Sequence, residues 1–251
     1  MSLEGRTLAV CIPAYDSKIL TQVVERLFVL ENLLRQNGAH IGILFCNSVS
    51  LVTMARNALF KSVMDLPQVT DVLLLDSDVV FRPDDVLDMM EVITRYDIIA
   101  GIYPLKTDGP PSFTFDYEKD DSGAGVFYEP EVLKCYRLPA GFMMISGEAI
   151  KKIWDAHEDA QYFSHGHWQR NIFDCEYRRG EQEYVGEDYV FCDKAIKQGL
   201  KMGLLTRVKL GHVGAKAWWG SEPEAFTKAI QSGSMSVVDE MGFRILEGEA
   251  E

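Results

Sequence analysis

The sequence predicts an α/β domain, a mostly parallel central sheet flanked by helices with a small antiparallel portion. Three observations carry this. Residues 7–12, 41–46, 72–75 and 98–102 are short, uninterrupted apolar runs, the pattern of strands buried on both faces. Segments of helical period separate them. The composition is 47% hydrophobic over 251 residues, enough for one substantial core.

Residues 7–12 form the first strand and stop at Pro13. A helix over 17–36 follows, with Leu20, Val23, Leu27, Leu30 and Leu34 as its apolar stripe and Asn37-Gly38 as its end. Strand 41–46 leads into a helix over 49–64, and strand 72–75 ends at Asp76. Pro83-Asp84-Asp85 opens the next helix, with acids at the positive end of its dipole. After strand 98–102, residues 107–139 read as loops with short antiparallel strands. Residues 142–145 return to the core, followed by a helix from 147 to about 157. Residues 160–184 are polar and aromatic without a period and read as a loop. A helix over 186–198 closes at Gly199, strand 202–205 follows, and a short helix over 222–230 lies in a mixed tail. With no repeat and no linker, we expect a single domain, core 7–214 and C-terminal extension 215–251.

Composition excludes several classes. With 25 basic and 38 acidic residues the net charge is −13, so no general nucleic-acid surface is expected. Five scattered cysteines without a CxxC pair argue for free thiols in a reducing compartment. No apolar run reaches the ~18 residues of a membrane span, and the first apolar run lacks the basic flank of a signal peptide. A cytoplasmic protein is expected. No glycine-rich Walker or dinucleotide loop follows any strand.

In parallel α/β sheets ligands bind at the carboxyl ends of the strands. Pro13-Ala14-Tyr15-Asp16, Asn47-Ser48, Asp76-Ser77-Asp78 and the segment from Tyr103 to Lys106 all follow strands directly. An extended Asp76-Ser77-Asp78 would point both carboxylates one way, and a divalent cation would relieve their repulsion. Glu187-Asp188 opens a helix. Residues about 100° apart should not share one target, so Asp188 faces inward on the Cys192 stripe as a candidate base and Glu187 faces elsewhere. His212, between Gly211 and Val213-Gly214, is a candidate third metal ligand through neutral imidazole, or simply a histidine in a glycine turn. Arg56 offers a fork of donors to a phosphate or carboxylate, and Lys106 an ammonium to a phosphate; each reads equally as a solvated cation. Trp218-Trp219 could stack on a sugar, close a lid, or pack. His165-Gly166-His167 with Cys175 matches no strong zinc spacing.

Together, Ile12-Pro13-Ala14-Tyr15-Asp16, Ala55-Arg56-Asn57, Leu75-Asp76-Ser77-Asp78, Gly186-Glu187-Asp188 and Gly211-His212-Val213-Gly214 resemble a GT-A fold glycosyltransferase. The chain is most similar to family 2-like and Anp1-like enzymes, including small viral and phage members. The resemblance implies a nucleoside-diphosphate sugar donor, UDP- or GDP-linked, with Mn²⁺ or Mg²⁺ as cofactor. It implies direct metal ligation by Asp78 and His212. Asp76 would touch the metal through water, or the ribose. Pro13, Ala14, Tyr15 and Asp16 would hold the nucleobase, with Arg56, Asn57 and Ser77 near the nucleotide. Ala140, Gly141 and Phe142 would line the sugar, and Asp188 would be the base of an inverting reaction, beside Glu187. A glycine-flanked histidine also occurs in retaining enzymes of this fold. A sugar-nucleotidyl transferase and a noncatalytic nucleotide- or carbohydrate-binding module are the alternatives. The acceptor hydroxyl could belong to a glycan, lipid, protein or modified base.

Overall fold

The apolar runs of the first half pair as expected of buried strands. β1 (Thr7–Ala14) lies between β2 (His40–Asn47) and β3 (Asp71–Leu75), parallel to both, with α1 (Thr21–Gln36) and α2 (Val52–Met64) as crossovers. The structure, a computed structural model, describes residues 3–164 and 166–233. β4 (Val79–Val80) and α3 (Pro83–Val92) precede β5 (Ile98–Ala100). β6 (Asp116–Tyr117), β7 (Phe127–Glu129) and β8 (Val132–Arg137) supply the antiparallel portion, followed by β9 (Phe142–Ser146) and α4 (Gly147–Asp155). Then come β10 (Gln161–Ser164), β11 (His167–Arg170), β12 (Glu176–Arg178), β13 (Glu183–Val185), α5 (Glu187–Lys197), β14 (Met202–Leu205), β15 (Gly211–Val213), β16 (Ala217–Trp219) and α6 (Pro223–Gln231). The main sheet runs β2-β1-β3-β9-β5-β14-β8-β6, with β7 also beside β8.

Alternation along β1 divides the core. Leu8, Val10 and Ile12 pack with α1 and α3 through Val23, Leu27, Leu30, Val86 and Met89. Ala9 and Cys11 belong to the other face, with Phe60 of α2, Ile150 of α4 and Phe191 of α5. Burying each such side chain contributes about 1.5–3 kcal/mol.

Several elements differ from the sequence expectation. β1 runs through Pro13 to Ala14, because pairing with β3 ends at Cys11 and a proline facing one neighbour forfeits little. α1 starts at Thr21 rather than 17, since Ser17 sits at φ 57°, outside helical space. β2 is an edge strand whose Ile43 and Phe45 remain exposed, so it is not covered on both faces. β9 enters antiparallel between β3 and β5. Residues 160–184 form two hairpins, β10–β11 and β12–β13, where a loop was expected. Part of the expected extension packs on the core. Phe226 of α6 meets Phe113 edge-on at 5.2 Å, and the Gly125 N–H donates to the Ile230 carbonyl at 3.2 Å. The rest of that extension, from residue 234, lies outside the described residues, as does His165.

Candidate active site

The strand ends converge as the parallel sheet requires. The Ser48 N–H donates to the Tyr15 carbonyl at 3.1 Å, and the Leu20 N–H to the Ser77 carbonyl at 3.3 Å. β9 runs the other way, so its first residues, not its last, lie at this edge. The Asp76 N–H donates to the Gly141 carbonyl at 2.9 Å, and the Gly141 N–H to the Tyr103 hydroxyl at 3.2 Å. A Cβ on residue 141 would sit 2.5 Å from Asp76 Oδ2 and closer still to the Tyr103 hydroxyl, so only glycine fits.

The Asp76-Ser77-Asp78 segment turns rather than extending, with the Val79 N–H on the Asp76 carbonyl at 3.1 Å. The two carboxylates therefore have different partners. Asp76 Oδ1 accepts from Arg56 Nη2 at 3.1 Å, whereas Asp78 pairs with the Lys106 ammonium and lies 3.6 Å from His212 Nε2. Burial raises the Asp78 carboxyl, but the hydrogen bonds from His212 and Lys106 outweigh it, and the group falls to about 2. His212 is delivered by register: β15 pairs it with Val79 of β4, and the Val213 N–H donates to the Asp78 carbonyl at 2.9 Å. Gly211 is needed there because Trp219 lies over it, 2.8 Å from where a Cβ would stand.

Arg56 is the hub. On α2 it is 3% exposed, neither a solvated arginine nor a free fork for phosphate. Besides Asp76, its Nη1 donates to Glu187 Oε1 at 2.7 Å and to Asp188 Oδ1. Glu187 and Asp188 thus share a target, contrary to the expectation from their angular separation. The Glu187 side chain is long enough to reach across the opening of α5 toward the buried guanidinium. Asp188 Oδ2 accepts the Ala140 N–H at 3.0 Å. Burial raises the Asp188 carboxyl, Arg56 opposes and Glu187 adds, with the net result about 7. A cavity of about 190 Å³ lined by Thr114, Pro139, Gly186, Glu187, Asp188 and Tyr189 adjoins it.

Other expected residues fare differently. Asn57 is fully buried: its Oδ1 accepts from the Ile172 and Phe173 N–H groups at 3.1 and 2.8 Å, and its Nδ2 donates to the Phe173 carbonyl at 3.0 Å. It pins that loop, and its burial keeps it from a nucleotide. The Phe142 ring is in the core, 5.5 Å from Phe81, so only the backbone here meets the site. Tyr15 is exposed at the mouth, Pro13 and Ala14 are at the end of β1, and Asp16 pairs with Lys18 at 3.1 Å. Trp218 and Trp219 line a cavity of about 260 Å³ with the 104–111 segment. Sequence reasoning gave no role to Tyr103, whose hydroxyl anchors Gly141 and whose ring meets His212 edge-on at 4.9 Å. Its signal was its place immediately after a strand. A larger cavity of about 780 Å³ lies at the opposite, amino edge of the parallel strands, where Arg6 is locked to Asp71. We place the site at the carboxyl edge because the titratable groups converge there.

Among the described residues no group of three or more His, Cys, Asp or Glu side chains stands ready for a metal. Two do fit one. His212 Nδ1 donates to the Pro104 carbonyl at 3.0 Å, which fixes Nε2 as the nitrogen facing Asp78; a cation between the two would take the Nε2 lone pair in place of that nitrogen's hydrogen bond to the carboxylate. One carboxylate and one imidazole leave coordination places for phosphate and water oxygens, a mixed donor set that suits Mn²⁺ as well as Mg²⁺.

An acidic turn at a parallel strand end is thus joined through a buried arginine to an acidic helix start. No protein-family model and no curated protein matches the sequence. Among solved structures the chain is similar to A197 from STIV, with TM-score 0.54 and 17% identity over 86% of this chain and 95% of that one. It also matches GalNAc-T7 with UDP, GalNAc and Mn²⁺ (TM-score 0.49, 12% identity, 87% and 46%). The catalytic domain of Drosophila β1,4-galactosyltransferase 7 with xylobiose matches as well (TM-score 0.43, 15% identity, 80% and 65%). The chain spans nearly all of A197 but less than two thirds of the two transferases. At these identities the likeness is one of fold.

Proposed function

We propose that the chain is a metal-dependent glycosyltransferase, moving a sugar from a nucleoside-diphosphate sugar to an acceptor hydroxyl with inversion. One observation carries this: Asp188, a carboxylate of raised proton affinity beside a cavity, is tied through Arg56 to the acidic turn at Asp76. Asp78 and His212 would hold a divalent ion, with Asp76 behind them. When bound, that ion would supply Lewis-acid stabilisation of the departing diphosphate.

The chain's own residues do the rest. Asp188 takes the acceptor proton on a carboxylate oxygen as the acceptor oxygen attacks the anomeric carbon. The bond from that carbon to the diphosphate oxygen breaks, and the nucleoside diphosphate leaves with its electron pair. Arg56 and the Ala140 N–H fix the carboxylate's orientation, so little reorganisation accompanies the transfer. Lys106, paired with Asp78 in the structure, would be free to meet a phosphate once that carboxylate holds the ion. Tyr15 offers an exposed ring for the nucleobase.

The test is a panel of UDP- and GDP-sugars assayed for slow hydrolysis with and without Mn²⁺. Nucleoside diphosphate is the expected product; pyrophosphate would instead indicate nucleotidyl transfer. Asp188→Asn should lower turnover by about 10²–10⁴ while calorimetry shows nucleoside-diphosphate affinity nearly intact. Near-normal turnover in that variant would sink the base assignment.

A further inference from the structure

The two hairpins between α4 and α5 have an inverted pattern. In β10–β11 the inward face carries Tyr162 against Gln169, joined at 2.8 Å, while the outward face carries Phe163 against Trp168. In β12–β13 the inward side carries Val185 and Arg178, the latter bonded to Asp193 of α5, while Tyr177 and Tyr184 pair across the outward side. The four outward rings are 60–67% exposed. An exposed ring costs free energy in water, and each of these consecutive hairpins presents a cross-strand aromatic pair outward. They are also joined to the site. β13 runs directly into Gly186-Glu187-Asp188. The Tyr184 hydroxyl bonds the Cys175 thiol, which also meets the Glu187 backbone N–H. Phe173, in the loop between the hairpins, lies 5.7 Å under the Arg56 guanidinium.

From this we infer that the acceptor is a neutral oligosaccharide, whose sugar rings stack on Phe163, Trp168, Tyr177 and Tyr184 while one hydroxyl reaches Asp188. The inference rests on the glycosyl-transfer reading and adds the acceptor class to it. Sugar rings present apolar C–H faces that match aromatic faces, and hydroxyls that match the polar groups around them. Charge selects against the other ligands that aromatic surfaces take. Nucleic acid needs free cations beside the rings, and acidic membranes need a basic face. Residues 161–185 carry three arginines against four acids. Arg170 is spent on Trp154 and Arg178 on Glu176 and Asp193, which leaves Arg179, exposed, against the four acids of the segment.

The experiment uses tetrasaccharides of glucose, xylose, N-acetylglucosamine and mannose, with binding read by saturation-transfer NMR and calorimetry on the full chain. At least one should bind, and Trp168→Ala and Tyr184→Ala should each weaken it about tenfold. Trp168→Phe should restore most of the loss, and Phe28→Ser, which removes an exposed ring on α1, should leave it unchanged. UDP binding with Mn²⁺, measured on the same variants, tests donor recognition separately, so failure there strikes the glycosyl-transfer reading alone. Binding of none of the tetrasaccharides, or binding indifferent to both alanine variants, overturns the inference. So does Trp168-dependent binding of acidic phospholipid vesicles or an oligothymidylate in their stead.

Discussion

Arg56, itself 3% exposed, carries one positive charge against three carboxylates whose side chains are 21–27% exposed. Its own proton is therefore held far more firmly than an ordinary guanidinium's, although burial acts the other way. Its Nε is buried without a partner. Burial first, with Arg56 opposing and Glu187 adding, leaves Asp188 with a carboxyl near 7. A base acts only when deprotonated, so kcat/KM should climb with pH through about 7 and level off above it. Arg56→Met removes the charge that opposes burial, so the same limb should move to higher pH; Arg56→Lys should move it less. An unchanged midpoint in Arg56→Met would detach Asp188 from that limb. The sign for folding is the reverse. The folded chain binds this proton more tightly than an ordinary aspartate of 3.8, so its stabilising contribution is full below that value and lost as pH rises through about 7. Removing one partner of a buried ion pair typically costs about 3–5 kcal/mol, so urea denaturation of Arg56→Met should show a loss of that order.

At the level of elements, the site depends on one strand running against its neighbours. Because β9 is antiparallel between β3 and β5, Ala140 and Gly141 arrive at the carboxyl edge and hold Asp188 and Asp76 by backbone groups. Gly141→Ala forces a Cβ against Asp76 Oδ2 and the Tyr103 hydroxyl. It should cost about 1–3 kcal/mol in stability and about a hundredfold in turnover through displaced carboxylates. Wild-type turnover would mean that this approach does not set the site. The direction of β9 was not legible in the sequence, since a strand buried on both faces has the same apolar run either way. Its existence was legible, as were the parallel strands and the six helices, because each is an apolar period bounded by Gly, Pro or Asn. The hairpins of 160–184 were missed because their rings point outward and their polar residues inward, so alternation did not register as a strand. That Asp76 and Asp188 meet at Arg56, and Asp78 lies beside His212, followed from their places at element ends. The burial of Arg56 and Asn57 was not legible, because both lie within a helix whose neighbours across the fold are distant in sequence.

On the scale of the whole molecule, the proposed activity requires an acidic chain to recruit an anionic donor. A charge of −13 repels a nucleoside diphosphate, though beyond about 8 Å physiological salt screens the effect. Inside the site the two nearest cations are already committed, Arg56 to three carboxylates and Lys106 to Asp78. Nucleotide alone would meet no spare positive charge, and a divalent ion alone would meet two ligand side chains and a competing ammonium. Each partner would therefore supply what the other lacks: charge neutralisation for the diphosphate, and oxygen ligands for an ion that Asp78 and His212 alone would hold. Binding should consequently be coupled, and coupling is reciprocal. In thermal unfolding, Mn²⁺ alone and UDP or GDP alone should each shift the midpoint little. Together, at about 100 times the dissociation constant, they add about 2.7 kcal/mol, or about 5–10 °C for a chain of this size. Lys106→Ala should separate the two roles of that lysine, tightening Mn²⁺ binding in the absence of nucleotide and weakening nucleotide binding in the presence of Mn²⁺. Additive shifts from the two ligands, or a lysine variant that loses affinity for both, would mean that Asp78 and His212 do not form the cation site on which the donor depends.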